Sequence, residues 1–294
     1  MNPTRKGLGL EADPNPAVRP SLVHEGLAVY AFGSGDPVLL MPYPHAAAVA
    51  SDRTVAELAE GLKTLERRVV TFDPPGSGRS TRPMRLDMPE MIECAEEALG
   101  VCGVRGLVDV MGHSQGSFAA LAFAVERPER VRRLVLVGAG AGGPSWMRAE
   151  GAIWNRSHPD YWRFGLLSSL YFLSRRLAAQ KMMYNLIFRD SYVDRSRFVP
   201  KRVLLIDWLR PAHPRTRWAL VARQLDYRSR LGEVSAPTLL LVGRHDPQMP
   251  PACSEELVRE IPDARLAVFE RSGHYPFIEE RDVFWAAVEE FMSK

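Results

Sequence analysis

The chain has 294 residues, of which 46% are apolar and 25% charged, and a net charge of +3. These values fit one large α/β domain, or a core carrying a sizeable insertion, and they exclude a disordered chain or a fibrous repeat. The charge is unevenly spread: residues 145–230 hold 17 Lys+Arg against 6 Asp+Glu, while the rest holds 21 against 29, which marks the middle stretch as a separate unit.

The first twenty residues carry charges and prolines without an apolar run, so they are not expected to act as a secretory signal. Residues 29–32 and 37–41 flank Gly33-Ser34-Gly35-Asp36 and are predicted as a hairpin-linked pair of strands. A helix follows over 51–65, capped by Ser51 or Asp52. A strand at 68–72 ends in Asp73-Pro74-Pro75-Gly76-Ser77-Gly78, which reads as a structural turn because no Gly-Lys-Ser/Thr follows it. Next come a helix at 89–102, a strand at 107–111, a helix at 114–126 and a strand at 133–137. Residues 146–230 are then helical, aromatic and basic. The β/α rhythm resumes with a strand at 238–242, a helix at 253–261, a strand at 265–269 and a closing helix at 282–292.

Strands separated by helices imply a mostly parallel sheet with helices on both faces. The interruption is expected to be a helical lid over the strand ends. The division is therefore a core of residues 1–143 and 231–294 and a lid of residues 144–230. The cysteines Cys94, Cys102 and Cys253 form no disulfide framework and have no zinc-site spacing, so a reducing, cytoplasmic setting is expected, with no metal. The longest uncharged stretch of the middle region, 164–174, is too short to span a bilayer.

Gly112-His113-Ser114-Gln115-Gly116 lies between the apolar strand and the helix that follows it at once. A turn this tight crowds the positions two before and two after the serine, so glycine fits there, and the serine is lifted clear of the sheet. A serine hydroxyl needs a base. His274 follows the last strand in Ser272-Gly273-His274-Tyr275-Pro276, where a strand-end loop can reach Ser114. His113 is expected to point away from the serine. Asp246, after the strand at 238–242, is the acid that would hold the histidine tautomer, and it completes the chain order Ser, Asp, His. The oxyanion donors are expected to be the backbone N–H of Gln115 and, because Pro42 and Pro44 have none, that of Tyr43. Glu279 and Glu280 read as the start of the final helix.

Along nearly its whole length the chain resembles the α/β-hydrolase superfamily. Asp73-Pro74-Pro75-Gly76-Ser77-Gly78-Arg79-Ser80, and Gly116-Ser117 followed by the segment ERPERVRRLVLVG, are most similar to its proline iminopeptidase-like branch. Its His-Gly-Gly-Pro and Gly-Gly-Ser-Trp-Gly-Ser are replaced here by Met41-Pro42-Tyr43-Pro44 and Gly112-His113-Ser114-Gln115-Gly116-Ser117, and the His-Ser-Gln form resembles esterases and lipases of the fold. The resemblance implies that Asp73 is structural and pins its loop.

The expected activity is a cofactor-free serine hydrolase of carboxylic esters, lactones or related acyl compounds, working through an acyl-enzyme. The alternatives are an aminopeptidase releasing N-terminal proline, with Glu150, Asp160 or Asp207 near the amine, and a non-catalytic ligand-binding protein. An acyltransferase, carbon–carbon hydrolase or cofactor-free perhydrolase could use the same three residues. The aromatic lid suggests an apolar pocket, with His45, Trp154, Tyr161 and Trp208 as candidate substrate contacts. Its positive charge is read first as solvated surface, second as steering of an anionic substrate and third as contact with an anionic surface, lipid or partner. The expected partner is a small acyl substrate, with no nucleic acid and no stable membrane insertion; nothing in the sequence sets the oligomeric state.

Overall fold

The computed structural model describes residues 19–44, 53–83, 87–174, 182, 185–198 and 225–294. Eight strands form one sheet: β1 (Leu22–His24), β2 (Leu27–Phe32), β3 (Pro37–Met41), β4 (Arg68–Phe72), β5 (Val108–His113), β6 (Val131–Val137), β7 (Thr238–Gly243) and β8 (Ala264–Phe269). Their spatial order is β1-β2-β4-β3-β5-β6-β7-β8. β1 and β2, and β2 and β4, pair antiparallel; every other neighbouring pair is parallel.

One expectation fails here. β2 and β3 do not form a hairpin, because β4 lies between them. β3 is an almost fully buried apolar run, as a central parallel strand requires, and it takes β4 and β5 as partners.

Alternation along the strands feeds two cores. Leu39, Val110, Leu134, Leu136 and Leu240 face one side, against α2 (Met88–Val101), α3 (Gln115–Glu126) and α6 (Pro251–Glu260). Val38, Leu40, Met111, Val135, Val137 and Leu241 face the other, against α1 (Arg53–Thr64), α7 (Pro276–Glu279) and α8 (Arg281–Met292). Helices therefore cover both faces, as expected. On the second face, a Cβ at Gly61 of α1 would lie 1.8 Å from the Trp285 ring of α8, so the missing side chain is the seat of the indole.

The segment between β6 and β7 contains α4 (Gly143–Arg148), α5 (Tyr161–Ser174) and a π-turn at Asn185–Arg189, with no strand among the described residues. Its two ends are zipped together. Gly143 N–H donates to Leu225 C=O at 2.7 Å, Tyr227 N–H donates to Ala141 C=O at 2.8 Å, and Gly142 bridges Asp226. Gly142 has φ 146°, and a Cβ there would lie 2.2 Å from the Leu225 oxygen. The outgoing and returning chains therefore meet at Gly142 and Asp226. No helix among the described residues is long and apolar enough to cross a membrane. The three cysteines are free.

Candidate active site

The chain turns from β5 into α3 at Ser114, whose φ of 53° and ψ of −122° are sterically costly for a non-glycine residue, at roughly 1–3 kcal/mol. The flanking glycines permit this turn. A Cβ at Gly112 would lie 2.2 Å from the Gly116 oxygen, and one at Gly116 would lie 2.7 Å from the Met41 oxygen. The elbow is held by Ser114 N–H donating to Val137 C=O at 2.8 Å and by Ser117 N–H donating to Ser114 C=O at 2.9 Å. The contact with Met41 also sets the end of β3 against the first turn of α3, where helix N–H groups have no partner within the helix. Tyr43 and Gln115 belong to these two abutting segments.

β3 has β4 on one side and β5 on the other, so the crevice beyond their carboxyl ends is the switch point at which open parallel sheets place ligands. Ser114, Asp246 and His274 all follow the carboxyl ends of parallel strands. Asp246 and His274 are nearly sealed, at 3% and 2% exposure. The Nδ1–H of His274 donates to Asp246 Oδ2 at 2.6 Å. The other carboxylate oxygen accepts from the Gln248 and Met249 N–H groups at 2.8 and 2.9 Å. Space for this pair comes from Gly138 at the end of β6: a Cβ there would lie 3.2 Å from the imidazole and 3.3 Å from Asp246 Oδ2. Burial, reinforced by the Asp246 charge, pushes the Cys253 thiol up to about 12. Cys253 is therefore a protonated packing residue and no rival nucleophile.

Three residues outside the expected set shape the site. His113 is buried; its ring contacts His274, and its Nε2–H donates to the His274 carbonyl at 2.8 Å. Glu280 sits at the start of the last helix, but Glu279 does not: it ends the short helix Pro276–Glu279 that precedes it. Glu279 accepts from the N–H groups of Val193, Asp194 and Gly273 at 2.7, 2.9 and 2.8 Å. Glu280 accepts from the Ser272 hydroxyl at 2.7 Å. The histidine loop is thus tied to the inserted segment, a tie completed by His274 N–H donating to Ser191 C=O at 2.8 Å.

The lid candidates divide. Trp154 donates its indole N–H to Trp146 C=O at 3.0 Å and packs edge-on against Trp146 and Phe164, so its indole is committed to internal packing. Tyr161 packs against Trp162. His45 and Trp208 lie outside the described residues, as do Ser51, Asp52 and Asp207. Asp73 is buried, accepting from Tyr30 Oη at 2.7 Å and Arg79 N–H at 2.8 Å, and so pins its loop as expected. No metal-ligand cluster occurs among the described residues.

The profile of the alpha/beta hydrolase fold family matches residues 45–281. The chain belongs to the α/β-hydrolase family. This α/β hydrolase is 30% identical over 270 residues to a 2-hydroxymuconate semialdehyde hydrolase of Pseudomonas putida, covering 89% of each chain. It is 32% identical over 238 residues, 77% of each, to a 2-hydroxy-6-oxononadienedioate/2-hydroxy-6-oxononatrienedioate hydrolase of Burkholderia vietnamiensis. Among solved structures it resembles an esterase of Exiguobacterium antarcticum, with a TM-score of 0.70, 22% identity, and coverage of 91% of this chain and 96% of that one. The chain is a hydrolase of this family.

Proposed function

We propose that this hydrolase uses Ser114 as nucleophile, His274 as base and Asp246 as the acid that orients the base, splitting a bond beside a substrate carbonyl. The observation that carries the reading is the Asp246–His274 hydrogen bond. With Nδ1 committed to Asp246, Nε2 is the nitrogen that takes the Ser114 proton. Ser114 Oγ attacks the carbonyl carbon, and the backbone N–H groups of Gln115 and Tyr43 stabilise the oxyanion. Collapse expels the leaving fragment, which takes the proton from His274, and leaves Ser114 acylated. Water, giving its proton to His274, then releases the acid and regenerates the hydroxyl.

The substrate we propose is a carboxylate-bearing ketone split at a carbon–carbon bond. The dienedioate in the name of the Burkholderia relative has two carboxylates, a hydroxyl and a ketone, and no ester, lactone or amide; hydrolysing such a compound breaks a carbon–carbon bond. The 17 Lys+Arg against 6 Asp+Glu over 145–230 support an anionic substrate. A carboxylic ester or lactone is the second reading, favoured by the His-Ser-Gln elbow. An alkoxide leaving group needs only the one proton His274 returns, whereas a carbanion also needs conjugation within its own fragment. Of the acids that the aminopeptidase reading invoked, Asp160 pairs with Arg163 and Glu150 is exposed, while Asp207 lies outside the described residues.

The test is a substrate panel, comprising a 2-hydroxy-6-oxo-dienoate, p-nitrophenyl acetate, a simple lactone and proline p-nitroanilide, run against a Ser114→Ala control. Turnover of the preferred substrate is expected to fall on the order of 10⁴-fold or more. Retained turnover in Ser114→Ala removes the serine mechanism. An ester preferred over the dienoate changes the substrate and leaves the mechanism standing.

A further inference from the structure

We infer that His113, the residue immediately before the proposed nucleophile, is a positioning residue that locks the base and the oxyanion loop into one frame. The inference rests on the serine mechanism proposed above.

The geometry runs across three segments. Thr54 Oγ1, in the first turn of α1, lies 2.9 Å from the Tyr43 hydroxyl. That hydroxyl lies 2.5 Å from His113 Nδ1. His113 Nε2 lies 2.8 Å from the main-chain oxygen of His274. The ring is 2% exposed and sits among the rings of Tyr43, His274, Tyr275 and Phe277, with centroids 4.6–5.8 Å away.

Hydrogen-bond chemistry orients this chain. A carbonyl oxygen can only accept, so His113 Nε2 must carry a proton. In the neutral ring Nδ1 is then an acceptor, and the Tyr43 hydroxyl must donate to it. Tyr43 has no second hydroxyl proton, so towards Thr54 it accepts. The order is Thr54 to Tyr43 to His113 to the His274 carbonyl, and each member fixes the direction of the next.

Two parts of the proposed machinery hang on this chain. One end holds the main chain of His274, whose N–H is held by Ser191 C=O and whose ring is held by Asp246. The other end holds the side chain of Tyr43, whose own N–H is the proposed second oxyanion donor. The spacing between base and oxyanion donor is thus set through one imidazole. Reaction geometry tolerates displacements of only about an ångström before rates fall steeply, so a loosened frame lowers the rate of chemistry more than it weakens binding.

Substitutions can cut the chain at chosen atoms. Tyr43→Phe removes the hydroxyl and keeps the N–H. His113→Gln places an amide N–H near the position of Nε2 and loses the acceptor at Nδ1. His113→Asn does the reverse, keeping an acceptor near Nδ1 and releasing the His274 carbonyl. The measurements are kcat and KM on p-nitrophenyl acetate, the second-order rate of Ser114 labelling by a fluorophosphonate, and the thermal midpoint of each variant.

Tyr43→Phe and His113→Gln are each expected to lower kcat and the labelling rate about tenfold, with KM changed less than twofold. Because they cut the same link, the double variant should be no slower than either single one. His113→Asn cuts the same frame at its other link, so its loss too should not add in full to that of Tyr43→Phe. Wild-type labelling with unchanged rates in the variants, or losses in KM alone, or multiplied losses in the Tyr43→Phe/His113→Gln pair, would overturn the positioning role and leave the serine mechanism intact. A wild-type protein whose Ser114 resists the probe overturns the mechanism and the positioning role with it.

Discussion

Asp246 accepts three hydrogen bonds, two from backbone N–H groups on one oxygen and one from His274 on the other. Asparagine would turn its carbonyl oxygen to the two backbone donors and its NH₂ to His274 Nδ1. The imidazole would then carry its proton on Nε2, where it cannot accept one from Ser114. Asp246→Asn is therefore expected to cost on the order of 10⁴-fold in kcat while the fold stays intact. Steady-state kinetics with a thermal melt checks this, and a loss below tenfold would deny Asp246 its role. The sequence put Ser114, Asp246 and His274 at strand ends, with glycines marking the elbow, and in the structure each follows a strand and His274 meets Asp246. What His113 and Glu279 hold was not legible there. Their partners are main-chain atoms of distant loops, the His274 carbonyl and the Val193, Asp194 and Gly273 N–H groups, and nothing in the sequence states where a backbone group will lie.

At the scale of elements, periodicity and apolar runs located most strands and helices to within a residue or two. The pairing of β2 and β3 was misread because Gly33-Ser34-Gly35-Asp36 has the composition of a hairpin turn. Burial decided otherwise: β3 is apolar along its length and belongs between two parallel strands, and β4 takes the antiparallel edge of β2. The join between the histidine loop and the inserted segment runs through Glu279. Burial lifts its carboxyl above the usual range, against the opposing pull of its three N–H donors. The folded protein then holds this proton more tightly than the unfolded chain does. Stability from this group is full below the ordinary carboxyl value, near 4.5, and is lost as pH rises through the lifted one. Glu279→Gln removes the titration. The difference in thermal midpoint, variant minus wild type, should grow more positive between about pH 4.5 and 7. A difference that falls with pH would mean that the N–H donors outweigh burial.

Across the whole molecule, the sheet is closed on one face where α1 and α8 meet at Gly61 and Trp285. Gly61→Ala gains helix propensity of up to about 1 kcal/mol, but its methyl group would occupy the indole's place. Overpacking of this kind costs roughly 1–3 kcal/mol, so a lowered denaturant midpoint is expected; an unchanged or raised one would show that the two helices can part cheaply. On the opposite side of the design question stands the zipped neck at Gly142 and Asp226. The outgoing and returning chains touch there, so whatever is threaded between them imposes no stretch on the sheet beneath. A different cassette grafted at the same two points would have to supply again the Ser191 carbonyl and the Val193 and Asp194 N–H groups that hold the histidine loop, so exchanging the cassette would reset the base as well as the entrance above it.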